Sequence, residues 1–350
     1  MHLEDLLTTT ALSTEVSALP AAPGRIGAWG LFKDKGVATT SIAVDFKNGV
    51  LSLVPNTART ADPSAPVLST RDCKNLAATH LALQSILLPT DIQDLRAFGQ
   101  EATEQGLSAP AQVISDRLAE MKTALETTRE YQRLGAIKGK ILDADGTTVI
   151  TNLLTLFGIT QSEANGNLVK FDVSSTDTEL LPTAQNVRRY VEKNVPGLTL
   201  RGVRALASPG FLDALLANPS VREAYRIYQS QVDARAAFAD PKQGALGNFS
   251  GGFWFGGVEF VEYGGGIGTT PFIADGEAYA FPVADGAFAC FNAPANYNEA
   301  VNTLGQPFYA KSEARPLGKG YVIEAQSNPL TLCLYPKALV KLQLQQTTTP

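Results

Sequence analysis

The sequence is poor in the residue types that perform chemistry. Two histidines, His2 and His80, and three cysteines, Cys73, Cys290 and Cys333, occur in 350 residues. His2 stands near the start. His80 stands among apolar residues with no partner at a fixed spacing, so packing is its expected role, and a Ser-His-Asp or Cys-His arrangement has little to build on. The cysteines are odd in number and far apart, with no C-x-x-C pair, which argues against a disulfide framework and a zinc ribbon. Neither H-E-x-x-H nor H-x-H occurs, so a catalytic zinc site is unsupported. No run of about twenty apolar residues exists to span a membrane, and no Lys/Arg run reads as a nucleic-acid patch. The first ten residues carry Glu4 and Asp5 where a secretion signal would carry Lys or Arg, so the chain is expected to be cytosolic when made.

The remaining candidates for chemistry have plainer readings beside them. Asp143-Ala144-Asp145-Gly146 has the outline of a calcium loop, but in that register Ile141 and Asn152 fall where a carboxylate and a bidentate Glu are needed; it reads as a hairpin turn. The glycines of 247–268 do not match G-x-x-x-x-G-K-[ST] or a G-x-G-x-x-G that opens a helix after a strand, and Gly318-Lys319-Gly320 lacks the following Ser or Thr. Amid aromatic residues they read as bulges and a flexible loop. Glu259 and Glu262 are an odd offset apart on a strand and face opposite sides, so they cannot work as an acid–base pair. No catalytic, cofactor-binding or metal-ligating residue is assigned.

Along the chain, residues 1–31 read as an extended arm, broken by Leu19-Pro-Ala-Ala-Pro-Gly24. Residues 36–70 read as a β-hairpin with a long tip. Val37–Phe46 is rich in β-branched residues, Asn48-Gly49 is a turn signal, Val50–Val54 returns, and Pro55–Pro66 is a loop. A second extended stretch covers Asn75–Leu88. The spacing of Ile114, Leu118, Met121 and Leu125 predicts a helix over about 109–134, with Ser108 as cap and Pro110 in the first turn. Its opposite face carries Asp116, Arg117, Glu120, Lys122, Glu126, Arg129, Glu130 and Arg133, so it reads as a beam laying one apolar stripe across a sheet. Lys140–Ile150 reads as a hairpin. Residues 181–230 read as helices capped by Thr183, Ser208 and Asn218, Phe253–Tyr263 as a strand, and Tyr321–Ala325 and Leu330–Leu334 as closing strands.

This order of parts resembles the major capsid protein E family of lambda-like phages, with the Hong Kong 97-type shell fold. The resemblance is sharpest in Trp29-Gly-Leu-Phe-Lys-Asp-Lys-Gly through Val50-Leu-Ser-Leu-Val-Pro55, in Leu87-Leu-Pro-Thr-Asp91, and in Phe308-Tyr-Ala-Lys-Ser-Glu313 with Gly320-Tyr-Val-Ile-Glu-Ala-Gln-Ser-Asn-Pro-Leu-Thr-Leu-Cys-Leu-Tyr-Pro-Lys-Ala-Leu-Val340. It implies an α+β fold: an N-arm at 1–31, an E-loop at 32–72, a peripheral domain with its spine helix at 73–180, an axial domain at 181–324, and closing peripheral strands and tail at 325–350. It implies a structural subunit, not an enzyme, that assembles with copies of itself into the hexamers and pentamers of an icosahedral phage head. The expected partners are a scaffolding protein, a portal and in some cases a decoration protein, and the expected location is the virion. Some relatives join subunits through a Lys–Asn bond, but Lys47 and Asn48 are too common in type to support such a link here. Two composition features agree with the resemblance. A charged fraction of 18% suits a chain that buries surface against its copies, and a net charge of −5 leaves packaged DNA only weak, non-specific contact.

Two other readings remain open at the level of sequence. An encapsulin-type shell has the same fold and a different cargo; neighbouring genes separate the two. A β-rich hydrolase or glycan-binding protein built around Phe253–Tyr263 would be a monomer or small oligomer with saturable ligand binding.

Overall fold

The computed structural model describes residues 25–47, 71–93, 108–173, 180–223, 252–267 and 270–345. Most of the expected arm, the Asn48-Gly49 turn, Val50–Val54 and the loop after it lie outside these residues. The chain divides into two compact units. The first comprises 1–46, 72–133 and 289–332, and the second 47–71, 134–288 and 333–350.

In the first unit the long helix meets a three-stranded antiparallel sheet, ordered Tyr309–Ala314, Tyr321–Ser327, Leu81–Leu87. Ile114, Leu118, Met121 and Leu125 pack with Leu87, Phe308, Ala310, Ile323 and Ala325. The beam across a sheet is therefore present, and the period of apolar residues is its cause. Asn75–Leu88, read as one extended stretch, is two strands instead: Arg71–Ala77 pairs with Ser41–Lys47 as a ribbon, and Leu81–Leu87 joins the sheet. The Ala78 and Thr79 amides in the break donate to Thr40 and Pro329 carbonyls. A second three-stranded sheet holds Phe32–Gly36, Phe288–Asn292 and Pro329–Cys333.

The long helix spans Ser108–Lys138, 31 residues or about 46 Å, and so outlasts the expected end at Leu134. Two glycines explain the extension. A Cβ at Gly135 would lie 2.9 Å from the Ile141 Cα, so this position is reserved for close passage of the returning chain. Gly139, at φ 80°, supplies the left-handed residue that ends the helix. The hairpin of Lys140–Leu142 and Val149–Asn152 follows, as the turn signal predicts.

The second unit is built on a six-stranded mixed sheet, ordered Leu168–Phe171, Val340–Leu344, Glu277–Ala284, Leu200–Ala207, Val258–Glu262, Gly252–Phe255. Helices Leu180–Lys193 and Pro209–Ala217 cover a core of Phe171, Val187, Val191, Phe211, Leu215, Phe253 and Phe260. Ser208 caps the second helix, its Oγ accepting from the Phe211 amide at 3.2 Å. Asn218 Oδ1 accepts from the Ser220 amide at 3.1 Å at the next helix start. Thr183 does not cap: its helix begins at Leu180, because Pro182 is tolerated in a first turn where its missing N–H has no partner to lose.

Three further readings need correction here. Phe253–Tyr263 is not one strand but two antiparallel ones, turning at Gly256-Gly257, where φ is 59° and 83°. The helical region 181–230 contains the strand Leu200–Ala207, central to the sheet. Three strands, not two, close the chain after Gly320, the third being Val340–Leu344. Glu277–Ala284 was hidden by Pro282, which is unfavourable between two partners. The position escapes the penalty because pairing with Val340–Leu344 stops at Ala280.

Candidate functional site

The residues weighed as chemical candidates are spent on structure. The exposed His80 places Nδ1 2.8 Å from Asn328 Oδ1, with no nucleophile among its partners. Burial pushes the Cys290 thiol up to about 11 and the Cys333 thiol up to about 12, so both stay protonated and unreactive near neutrality. The Asp145 carboxylate accepts from the amides of Thr147 and Thr148 at 2.9 and 2.8 Å and from the Thr148 hydroxyl, which holds its pKa far below the usual range. In the same turn Asp143 Oδ1 accepts from the Ala144 amide, Ile141 is buried, and Asn152 Oδ1 caps Thr155. These oxygens serve the hairpin. Among the described residues no cluster of three His, Cys, Asp or Glu is placed to hold a metal ion. Glu259 pairs with Arg204 across the strands at 2.7 Å, while Glu262 lies exposed on the same strand. Gly318-Lys319-Gly320 is a hairpin return, in which a Cβ at Gly320 would lie 2.1 Å from the Leu87 carbonyl oxygen. His2 and the side chains of Lys47, Asn48 and Cys73 fall outside the described residues.

The feature that the sequence hid is a buried charge cluster on the long helix. Lys122, Arg129, Glu130 and Arg133, expected on a solvated face, are buried. Arg129 donates to Asp34 Oδ1 at 2.7 Å, to the Pro307 carbonyl at 3.0 Å and to Ser327 Oγ at 3.3 Å, and its guanidinium lies 5.1 Å from the centre of the Phe308 ring. Lys122 Nζ is 5.4 Å from the same ring, and burial lowers its pKa. Asp34 also accepts from Asn292 Nδ2 at 3.1 Å. Next along the helix from Arg129, Glu130 accepts the Ile26 amide at 2.6 Å and the Gly27 amide at 3.1 Å, with Arg133 3.7 Å away. The carboxylate thus caps the short helix Arg25–Ala28, whose first amides have no partner of their own. Charge spacing alone gave no signal of this, because Asp34 and Ile26 lie about a hundred residues away in sequence.

In the second unit Glu277 accepts from Lys341 at 2.6 Å, Tyr279 at 2.7 Å and Gln343 at 3.1 Å. Burial acts upward on its pKa, yet these donors hold it below the ordinary carboxylate range. Burial also lowers Lys138, which donates to the Phe272 carbonyl at 3.0 Å. Both clusters bind segments of the fold together. Glu277 and Gln343 also border an open hollow lined by Lys170, Asp275 and Gln345.

Comparison with known proteins agrees with this emphasis on architecture. The model of the family "Phage major capsid protein E" matches residues 8–344. The chain belongs to that family. It is 25% identical to the major capsid protein of Salmonella phage Felix O1 over 95% of both chains. It is 28% identical to that of Pseudomonas phage KPP10 over 77% of this chain and 78% of the relative. A crystal structure assigned to a prophage capsid protein of E. coli CFT073 superposes with a TM-score of 0.62 at 12% identity, covering 97% of this chain and 99% of the other. The fold is α+β and of the Hong Kong 97 type, as the resemblance in the sequence implied. The function of such a chain is structural: a subunit of a phage capsid.

Proposed function

We propose that this subunit builds an icosahedral head from hexamers and pentamers, and that it carries no catalytic activity. The match to the capsid family over 8–344 carries the reading. In support, the Cys290 and Cys333 thiols are buried, Asp143 and Asp145 serve a hairpin turn, Glu259 pairs with Arg204, and His80 contacts Asn328. The proposed division of labour follows the resemblance. Residues 1–31 form an arm and 32–72 an E-loop that grip neighbours. Residues 73–180 and 325–350 form a peripheral domain with its spine helix, and 181–324 form an axial domain around the ring axes. Contacts are heterologous and close into rings. Each can be weak, because an extended ribbon engaging several neighbours raises the effective concentration of the remaining contacts. Scaffolding protein, portal and, where present, a decoration protein complete the assembly in the host cytoplasm, and packaged DNA meets the inner wall by weak, non-specific contact.

Expression of the full chain, followed by negative-stain microscopy and sedimentation, tests this. Closed shells or ring-shaped capsomers are expected. Replacing residues 48–70 by a short turn between the paired strands Ser41–Lys47 and Arg71–Ala77 should leave a folded subunit that forms no shells. A wild-type chain that remains a monomer and binds a saturable ligand overturns the capsid reading; normal shells from the shortened chain overturn the E-loop assignment.

A further inference from the structure

Separate stretches of the second unit bring two cations and one carboxylate to a single tyrosine. Lys138 is the last residue of the long helix. Its Nζ stands 5.3 Å from the centre of the Tyr279 ring and donates to the Phe272 carbonyl at 3.0 Å. Lys341, on the strand Val340–Leu344, stands 5.9 Å from the same ring. Sheet register sets Tyr279 opposite Lys341 and Glu277 opposite Gln343. Glu277 therefore meets Lys341 at 2.6 Å, the Tyr279 hydroxyl at 2.7 Å and Gln343 at 3.1 Å. Burial, and then Glu277, push the Tyr279 pKa up, so its hydroxyl stays a donor at neutral and acid pH.

Two ammonium groups at one ring repel each other. Burial penalises the charge of Lys138 first of all, and Lys341 and Lys140 act in the same direction, while Glu277 opposes them. The open hollow that Glu277 borders, about 640 Å³, gives water and protons access to the carboxylate; Asp275 and Lys170 line it too, and Lys170 pairs with Glu163 at 2.6 Å. The backbone of Glu277 is held by other means. Its amide donates to the Ala274 carbonyl at 3.1 Å, and its carbonyl accepts the Ser208 amide at 3.0 Å. Loss of the side-chain charge therefore frees the lysines without dislodging the strand that carries it.

We propose that Glu277 is an acid-operated clasp on the end of the long helix: ionised, it holds Lys138 and Lys341 at Tyr279, and protonated, it lets both side chains turn out to water and the helix end open while the sheet stays formed. Burial raises the pKa of this carboxyl, but its donors outweigh burial and depress it. The clasp is therefore closed above the unfolded value near 4.3 and opens as pH falls below it. It lies within one unit and is independent of the capsid reading.

Hydrogen exchange on the full chain tests the clasp, with the Lys138 and Gly139 amides as the readout and the strands Leu200–Ala207 and Val340–Leu344 as internal references. In the wild type, protection at the helix end should fall about tenfold between neutral pH and about pH 3.5 while both strands hold. Glu277→Gln should show that loss already at neutral pH and no further loss in acid. Adding Lys138→Met, which removes a repelling charge and keeps an unbranched stem, should restore most of the lost protection. A merely structural ion pair behaves in the opposite way, since the second deletion adds its own cost. Protection in Glu277→Gln within about twofold of wild type at neutral pH overturns the proposal, as does a double variant no better protected than Glu277→Gln. Should Glu277→Gln alone not fold, the double variant must fold, and its failure to do so decides against the clasp.

Discussion

Glu130→Ala tests whether the buried charge cluster anchors the chain before Phe32. The carboxylate accepts two backbone amides, Ile26 and Gly27, and stands 3.7 Å from Arg133, a residue with 7% exposure. Removing it leaves donors in dry surroundings, at about 1–3 kcal/mol for each unsatisfied group, and leaves a buried guanidinium short of its partner. Breaking one side of a buried pair costs about 3–5 kcal/mol, the range expected here. Glu130→Gln keeps one acceptor oxygen but aims an amide donor at the other N–H, so it should cost roughly half as much. Glu120→Ala, on the exposed side of the same helix and paired with Arg117 at 3.5 Å, is the control and should stay within about 0.5 kcal/mol. Urea unfolding of an assembly-deficient subunit reads the totals, and hydrogen exchange at the Ile26 and Gly27 amides reads the site. A Glu130→Ala variant within 1 kcal/mol of wild type, as an approximate threshold for a surface position, or one with unchanged exchange at those amides, would refute the reasoning.

Two further outcomes are open to measurement. Leu118→Asp places an unpaired charge among Leu87, Phe308 and Ile323 and should lower stability by several kcal/mol, whereas Leu118→Ala should lower it by about 2–5 kcal/mol; an unchanged melting temperature for Leu118→Asp would mean that the stripe is not a core. The folded-state pKa of Glu277 is depressed, so its contribution is present above the unfolded value near 4.3 and is lost as pH falls below it. Glu277→Gln should therefore flatten the acid limb of stability against pH, and parallel limbs for wild type and variant would contradict the assignment.

Some of this architecture is legible in the sequence because it depends on local pattern. Ile114, Leu118, Met121 and Leu125 recur at helical spacing, and nothing distant has to be known to place them inside. Asp145-Gly146 turns a hairpin through contacts within four residues. Ser208 caps by the same short reach. What was missed depends on partners far along the chain. Leu200–Ala207 carries Arg201, Gly202 and Arg204 and has little β-branched character, yet it becomes a central strand because Val258–Glu262 and Glu277–Ala284 pair on either side. Arg204, which reads as a solvent residue, is accommodated there by Glu259. The glycine pair at 256–257 falls in a stretch that reads as one strand with bulges, whereas a Cβ on Gly256 would lie 2.4 Å from that of Ala184. The helix beside the turn adds that requirement to the positive φ of the turn itself.

The charges around Arg129 show why binary patterning misleads for this kind of subunit. An apolar stripe on a long helix holds a partner with little preference for register, since hydrophobic contact is non-directional. Arg129 instead fixes Asp34, Ser327 and the Pro307 carbonyl at defined positions, and Glu130 fixes two consecutive amides. Such groups add little net stability over well-packed apolar ones, and Arg129 Nε, Gln132 Oε1 and Arg133 Nε are left without a hydrogen bond. They make misplacement expensive, because any other register strands a buried charge. On the proposed E-loop assignment, the strand Phe32–Gly36 and the ribbon that follows it would have to be presented in one way, copy after copy, for a shell to close. Directional burial at the root of those segments meets that demand where a deeper apolar core would not.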